Sequence, residues 1–547
     1  MTLRVEVTKT EPVPSYPPAP PVAFAIILAL LAVLLFARLG WYALWDDETM
    51  VALVAQGVNH TGDTSVLMDH GNIVGYDRGI LIRDFHDRST PPLATYITAS
   101  SFSLFGVSAW TARWPFAFLG LGVYAVILCW ARRLPWPALT VLALGLLGNV
   151  SLLLNLRQCR YYAPAIFFSV AIVFVYWCWR PRPRQLLVMA ILSFLLFASN
   201  YLEYAALYVC LFLDYVIWKR KEWKLGWREL LVLFGPQVLL NGLLACVWNP
   251  LRTGEGDLLR NKEMWDRLIL IFGYWRDTNA AEFLALPLVV LALVLGLVQR
   301  RAWLVRGCLA LVVYFTFISL FSPQEITPWW WYVNIRYVPA IIPLAIALEA
   351  GVICILLGRW PKFAIGAAVL VFGTNLCNGG PWLDPGFRST LLCYISELLQ
   401  PVPEPYTPTA DWVNANVPGG ESVFVMPNYA VYPLMFQAPR AHYAWQFDWP
   451  PRADFADLPL IEFKGRQAPD YLVAFGPFLG DTLKDIRAMG RTDIDYAPAA
   501  MIPVFYKDMY RPELFWHAFA PVEGFDPNDQ AVYIFKRTRP PIVPPTP

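Results

Sequence analysis

Charge is what this sequence has least of: 15% of its 547 residues are Asp, Glu, Lys or Arg, against about 25% in an ordinary soluble domain. That shortage excludes a cytosolic globular enzyme. It also excludes a disordered chain, which combines high charge with few apolar residues. A basic excess is missing too. The 43 Lys and Arg stand against 41 Asp and Glu, a net charge of +2, and nothing suggests nucleic acid as a partner. Cysteine is sparse outside the apolar runs, and none lies beyond Cys393, so no disulfide framework holds the C-terminal part together. Cys377 and Cys393 are open either to pairing outside a membrane or to staying thiols. There is no glycine-rich phosphate cradle followed by Lys-Ser or Lys-Thr, so ATP is not the expected source of free energy.

What the chain does have is apolar and aromatic surface: 57% hydrophobic residues, with 24 Trp, 26 Tyr and 34 Phe, and a mean hydropathy of +0.45. Aromatic side chains collect at membrane–water boundaries, so many boundaries are expected. A crossing takes roughly 20 apolar residues, with tolerance for shorter ones. Eleven segments qualify, at about 22–42, 108–130, 136–156, 163–179, 185–200, 202–218, 230–248, 283–298, 303–321, 337–357 and 363–377. Residues 1–21 before them, Pro-rich from Pro12, read as a disordered cytoplasmic tail. The first span reads as a retained anchor, because Arg4 and Lys9 are offset by Glu6 and Glu11 and Ala37-Arg38-Leu39 is a poor cleavage site.

Alternate connections carry the basic residues: Arg132 and Arg133; Arg180, Arg182 and Arg184; Lys219 to Arg228; Arg300, Arg301 and Arg306; Arg359 and Lys362. The positive-inside tendency makes that side cytoplasmic. Eleven crossings then leave the C-terminal part outside, with outer pieces at about 45–107, 249–282, 322–336 and beyond 378. Pro91 to Phe105 is too short and too rich in Ser and Thr for a span, and reads as a helix along the outer interface. Past residue 400 a helix ends at Asn416, and a second runs from Leu479 to Met489. β-rich runs stand at Ser422–Met426, Tyr471–Phe475, Ile502–Tyr506 and Ala531–Phe535. Strands interleaved with helices predict a compact extracytoplasmic α/β domain of about 140 residues, and the tail Pro540–Pro547 reads as loose.

The sharpest local feature is Trp45-Asp46-Asp47-Glu48-Thr49, three consecutive carboxylates just past the outer end of the first span. Acids at an apolar boundary are costly to desolvate. One reason for them is helix capping and the dipole of a helix starting here. The other is a general base that takes a proton from an acceptor hydroxyl or amine. Positive charge stands on the same outer side, where orientation does not explain it: Arg88, Arg113, Arg157, Arg160, Arg276 and Arg336. A guanidinium matches phosphate oxygens in a planar fork. Several of them converging would hold a departing phosphate, although each could instead pair with a nearby acid.

Outer acids, outer arginines and many spans together point to one reaction class: a sugar on a lipid phosphate is attacked at its anomeric carbon and the lipid phosphate departs. A transporter or flippase of lipid-linked sugars is the alternative, but it calls for repeats or broken midplane helices that the sequence does not display. A non-catalytic anchor presenting the outer domain is a third reading. His60, His70 and His86 share the first outer loop with Asp63, Asp69, Asp77, Asp84 and Asp87. They read as loop polarity; no metal is assigned, and a divalent ion stays open. Glu203 reads as an exposed residue near a span end, with lining of the cavity as the alternative, and Glu349 as an intramembrane acid that is either functional or reaches water at the cytoplasmic end. Trp329 to Tyr332 reads as an interfacial belt, with sugar stacking or lipid gripping as the alternative.

At these residues the chain resembles the GT-C membrane glycosyltransferases, specifically the protein-mannosyltransferase-like group that includes the aminoarabinose transferase acting on lipid A. Leu44-Trp45-Asp46-Asp47-Glu48-Thr49, continuing to Gly57, resembles that family's Asp-Glu motif. Thr90-Pro91-Pro92-Leu93, then Leu104 to Ser108 and Arg113, is similar to its Pro-Pro-Leu and Phe-Gly-x-Ser stretch. Arg336-Tyr337-Val338-Pro339 with Pro343 resembles its late Arg-Tyr-x-x-Pro signature, and Asp411 to Pro439 the start of its outer domain.

The resemblance implies a polytopic all-α membrane domain of about eleven transmembrane helices (22–378, with a catalytic outer loop 45–107) and a C-terminal extracytoplasmic α/β domain (379–547). It implies a polyprenyl-phosphate sugar donor, undecaprenyl in bacteria, a glycan, lipid or protein acceptor, and a multi-pass place in the inner membrane with the site on the periplasmic side. By resemblance Asp47 is the catalytic carboxylate, with Asp46 and Glu48 beside it; from the charge pattern, Arg88, Arg113, Arg157, Arg160 and Arg336 are expected to hold the lipid phosphate. The chain departs from the family in two places. Thr90 stands where relatives have Lys, and Arg88 is expected to supply that charge. The stretch Leu156 to Tyr162 lacks the second acid of some relatives, which favours one base plus arginines.

Overall fold

A computed structural model describes residues 16–74, 82–83, 85–88, 90–178, 182–248, 264–322, 333, 335–379, 386–401, 403–443, 469–488, 495–504 and 531–538. Each of the eleven apolar segments holds helix. The first is α1 (Pro21–Phe36), and α2 (Asp46–Thr61) and α3 (Leu93–Phe105) follow in the segment expected to be the first outer loop. The bundle continues with α4 (Ala109–Ala131), α5 (Trp136–Gly148), α6 (Val150–Leu156), α7 (Tyr162–Cys178), α8 (Pro183–Ser199), α9 (Tyr201–Ile217) and α10 (Trp227–Val247). After α11 (Met264–Ala280) come α12 (Leu286–Val298), α13 (Ala302–Phe321), α14 (Ile342–Leu357) and α15 (Pro361–Gly373).

Among the described residues, four helices are long and apolar enough to cross a membrane: α4, α10, α13 and the run Pro339–Leu357 that contains α14. The pair α5 and α6, bent by 61° at Asn149, makes a fifth if counted as one span. The exposed faces are apolar as well. Helix α10 buries Leu233 and Gln237 but presents Val238, Leu239 and Leu243 at 60% exposure or more, a surface suited to lipid rather than water. The chain is a multi-pass membrane protein.

Helix starts follow local chemistry. Ser108 caps α4 reciprocally: its hydroxyl accepts from the Thr111 N–H at 3.1 Å, and the Thr111 hydroxyl accepts from the Ser108 N–H at 2.9 Å. In α2 the acids Asp46, Asp47 and Glu48 fill the first turn, where the helix dipole favours negative charge, and Gly62 closes the helix at φ 80°. Gly57 lets the outer loop lie directly on α2, since a Cβ there would stand 2.2 Å from the Ser65 carbonyl oxygen.

The segment 249–282, expected as an outer connection, holds the amphipathic helix α11 in its described part. Asp266, Arg267, Arg276 and Asp277 dilute its hydropathy, while Leu270 and Tyr274 bury against the bundle. Cys377 and Cys393 are free thiols. Trp329 to Tyr332 and Pro540 to Pro547 lie outside the described residues.

The C-terminal part adds α16 (Thr390–Leu399), α17 (Tyr406–Asn416), α18 (Val431–Gln437) and α19 (Leu479–Ala488). In the first outer loop β1 (Ile82–Arg83) pairs antiparallel with β2 (His86–Asp87). The C-terminal sheet contains β3 (Ser422–Met426), β4 (His442–Tyr443), β5 (Tyr471–Phe475), β6 (Tyr496–Pro503) and β7 (Ala531–Arg537), in the order β4-β3-β5-β7-β6. Strand β3 is parallel to β4 and β5, and β7 is antiparallel to β5 and β6. Strand β6 begins before the Ile502 expected from the sequence. It lies at the sheet edge with an irregularity between Pro498 and Ala500, where proline is tolerated.

Helix α2 joins the two layers. Its Val51, Ala52 and Ala55 pack in the bundle core. Leu53 and Val54 pack with Val423, Leu434 and Val473 of the C-terminal part. Burying one such side chain is worth about 1.5–3 kcal/mol, so the acidic start of α2 is clamped between two hydrophobic cores.

Candidate active site

Three consecutive helical residues point about 100° apart, and this sends Asp46, Asp47 and Glu48 to different surroundings. Glu48 turns into the bundle and is fully buried. Its Oε1 accepts from the Cys159 N–H at 2.7 Å and from Arg113 Nε at 2.9 Å, and its Oε2 takes Arg113 Nη2 at 2.5 Å. Arg113, 1% exposed, gives its remaining donors to the carbonyls of Leu39 and Tyr42 through Nη1 and of Ala43 through Nη2. All five N–H groups of that guanidinium are bonded inside the protein, which leaves none for a ligand. Together the pair fixes the link between α1 and α2.

Asp47, 3% exposed, faces a different set. Its Oδ2 lies 2.9 Å from Arg160 Nη2 and 3.5 Å from Arg336 Nη1. Arg160 also donates to the Asp47 backbone carbonyl at 3.3 Å. The Arg160 guanidinium lies over the rings of Tyr161 and Tyr162, and that of Arg336 over Tyr337 with Nη2 bonded to its hydroxyl at 3.0 Å. Two guanidiniums thus face the Asp47 carboxylate among aromatic rings. Such a site attracts an anion. Asp46 is half-buried on the same turn.

The other arginines go elsewhere. Arg88 grips Asp63 with a two-pronged pair, 2.7 and 2.5 Å, and lies over the Trp248 ring. That guanidinium lowers the Asp63 carboxyl to about 2. Arg157 turns to the Tyr394 hydroxyl on α16 and to the Ala37 carbonyl at 2.9 Å. Arg276 pairs with its neighbour Asp277, whose Oδ2 accepts from the Val333 N–H at 2.7 Å. Of the arginines expected on a phosphate, Arg160 and Arg336 are the two that the structure brings to Asp47.

Glu203, expected exposed, is 2% exposed and accepts from the Tyr314 hydroxyl and from the Ala340 N–H. Glu349, expected to reach water, accepts from the Ala285 N–H at 2.6 Å at the start of α12. It borders a small polar cavity of about 20 Å³ with Asn149, Glu282 and Asn378. His60 lies 4.0 Å from Asp69 and His86 3.7 Å from Asp63. Among the described residues no group of three or more His, Cys, Asp or Glu converges as a metal-ligand set. The tyrosines around Asp47 were missed in the sequence. Their signal was adjacency, since Tyr161-Tyr162 follows Arg160 and Tyr337 follows Arg336.

This architecture is the GT-C fold of membrane glycosyltransferases. In particular, the chain is similar to the solved structure of ArnT from Cupriavidus metallidurans bound to undecaprenyl phosphate. The two share 14% identity over 94% of this chain and 98% of that one, at a TM-score of 0.52. A weaker likeness joins it to the archaeal oligosaccharyltransferase AglB from Archaeoglobus fulgidus, in complex with an inhibitory peptide and a dolichol-phosphate. That match has 12% identity over 84% of this chain and 69% of that one, at a TM-score of 0.42. No family model and no curated protein matches the sequence.

Proposed function

We propose that the protein transfers a sugar from a polyprenyl-phosphate donor to an acceptor on the extracytoplasmic side of the inner membrane. The observation that carries this reading is the Asp47 carboxylate set between Arg160 and Arg336 at the start of α2. The eleven helical segments serve as eleven crossings, with the basic connections inside and α2, α3, Arg160 and Arg336 outside.

In this mechanism an acceptor hydroxyl or amine attacks the anomeric carbon and gives its proton to Asp47. The bond from that carbon to the phosphate oxygen breaks, and the polyprenyl phosphate leaves with the electron pair. The two guanidiniums offset the charge that grows on it, a large contribution in a site screened from water. Arg160, with the shorter contact and a nearly buried side chain, keeps Asp47 oriented. Arg336, with the 3.5 Å contact and a side chain 27% exposed, turns from the carboxylate to the incoming phosphate. Attack opposite the leaving phosphate inverts the anomeric centre. Glu48 and Arg113 act as scaffold, and Arg88 orders the outer loop through Asp63.

The ArnT likeness supports the fold, and the undecaprenyl phosphate bound to that protein suggests the class of donor. The test is mass spectrometry of envelope glycans and lipid-linked sugars in a strain lacking the gene. The expected result is one component missing a sugar while its lipid-linked donor accumulates. Unchanged glycans with an unchanged donor pool would contradict the reading, and lipid-linked sugar stranded on the cytoplasmic side would favour a flippase.

A further inference from the structure

Arg336 sits in a three-residue turn, Ile335–Tyr337, followed at once by a second short turn, Pro339–Ile341. Turns this short have little internal bonding: the Val338 N–H reaches the Ile335 carbonyl at 3.1 Å and the Ile341 N–H reaches that of Val338 at 3.2 Å. Contacts from neighbouring helices must therefore set where the guanidinium lies. Three such contacts converge on the segment. The Tyr314 hydroxyl, from α13, reaches the Tyr337 carbonyl at 3.3 Å. The same hydroxyl is bonded to Glu203 Oε2, from α9, so its one proton serves either the carboxylate or the carbonyl at a time, and Glu203 also takes the Ala340 N–H. On the other side the Tyr161 hydroxyl reaches the Arg336 carbonyl at 3.4 Å.

A carboxylate buried to 2% exposure needs a reason, and helix capping does not supply it here. Asn200 already caps α9 by accepting from the Glu203 N–H at 3.1 Å, which leaves the carboxylate of Glu203 to act elsewhere. Its bonds go to Tyr314 and Ala340, and both lead to the segment that carries Arg336. We infer that Glu203 and Tyr314 are positioning residues: they form a strut from α9 through α13 that holds Arg336 where it meets the lipid phosphate. This rests on the reading that Arg336 binds that phosphate. The strut enters neither the proton transfer nor the bond exchange, and acts only through Arg336.

The test is a double-mutant cycle read by equilibrium binding of undecaprenyl phosphate to the full-length protein in detergent, which needs no acceptor and no turnover. Tyr314→Phe deletes one hydroxyl and keeps the ring, and is expected to weaken binding by about fivefold to twentyfold, inside the range for coupled neighbours. Glu203→Leu should do the same, and Glu203→Gln, which keeps an acceptor oxygen, should recover most of the loss. In an Arg336→Ala background Tyr314→Phe should add less than about twofold, because the guanidinium it positions is gone. Unfolding temperatures measured alongside separate lost positioning from lost fold. Wild-type affinity in both Tyr314→Phe and Glu203→Leu, or an equal Tyr314→Phe effect with and without Arg336, overturns the strut. Failure of the wild-type protein itself to bind the lipid phosphate removes the underlying reading and the strut with it.

Discussion

Glu48 and Arg113 close on each other across 65 residues of sequence, with Nη2 to Oε2 at 2.5 Å and both side chains out of reach of water. Removing one partner leaves the other as a buried, uncompensated charge, which costs about 3–5 kcal/mol. Glu48→Ala and Arg113→Ala are therefore expected to lower the unfolding temperature in detergent sharply and to reduce the amount of folded protein. A variant of either residue that folds as wild type but fails to bind lipid phosphate would move the pair from scaffold to ligand contact.

The Asp63–Arg88 pair makes the first outer loop sensitive to acid. Its carboxyl is lowered from 3.8 to about 2 by the Arg88 guanidinium. A depressed acid contributes stability above its unfolded value and loses it as pH falls toward the folded one. Asp63 is more than a third exposed, so solvent screening limits the contribution to about 1 kcal/mol or less. Asp63→Asn should raise hydrogen exchange around Thr64 and Asp87 at neutral pH, with the difference from wild type vanishing between pH 3.8 and 2. A constant difference across that window would mean that the pair is not responsible.

Gly57 is where the outer loop touches α2 through backbone. A Cβ at 2.2 Å from the Ser65 carbonyl forces the two apart, at a cost of about 1–3 kcal/mol for an overpacked contact. Gly57→Ala should destabilise the protein by that amount, read as the shift in unfolding temperature. Gly62→Asn, at a left-handed position that Asn tolerates and with open space around it, should cost little.

Asn72 ties the first outer loop to the C-terminal sheet. Its amide donates to the Ala441 carbonyl at 2.9 Å, and its oxygen accepts from the Tyr443 N–H at 2.9 Å. Asn72→Ala leaves that buried N–H unpaired, a loss of about 1–3 kcal/mol. Limited proteolysis should then cut near residue 440 sooner than in wild type. For the same reason, cutting the chain near residue 400 should not release an intact C-terminal unit, because Leu53 and Val54 of α2 belong to its core.

Much of the architecture is legible in the residues because lipid demands long apolar runs and the strands alternate or bury whole. Ser422–Met426 and Tyr471–Phe475 form strands over the spans their composition suggests. Helix α11 is hidden because four charged residues dilute its hydropathy, although two of them, Arg267 and Asp277, are buried. The acid cluster is visible as a cluster, but its division of labour is not. Asp47 and Glu48 are adjacent in sequence and meet different arginines only because a helix turns between them. Arg113 and Arg336 carry the same charge. That one is saturated by carbonyls while the other faces Asp47 depends on chain segments far apart in sequence. Glu203 looked ordinary because its partners Tyr314 and Ala340 come from another part of the chain.

In the proposed mechanism Asp47 takes the acceptor's proton beside the guanidiniums of Arg160 and Arg336. The most direct test of this step is the rate of sugar transfer from a lipid-linked donor in membranes containing Asp47→Asn protein. Loss of a general base is expected to slow transfer by about 10²–10⁴-fold, while the folded protein still binds undecaprenyl phosphate. Transfer at the wild-type rate by normally folded Asp47→Asn protein would contradict the account.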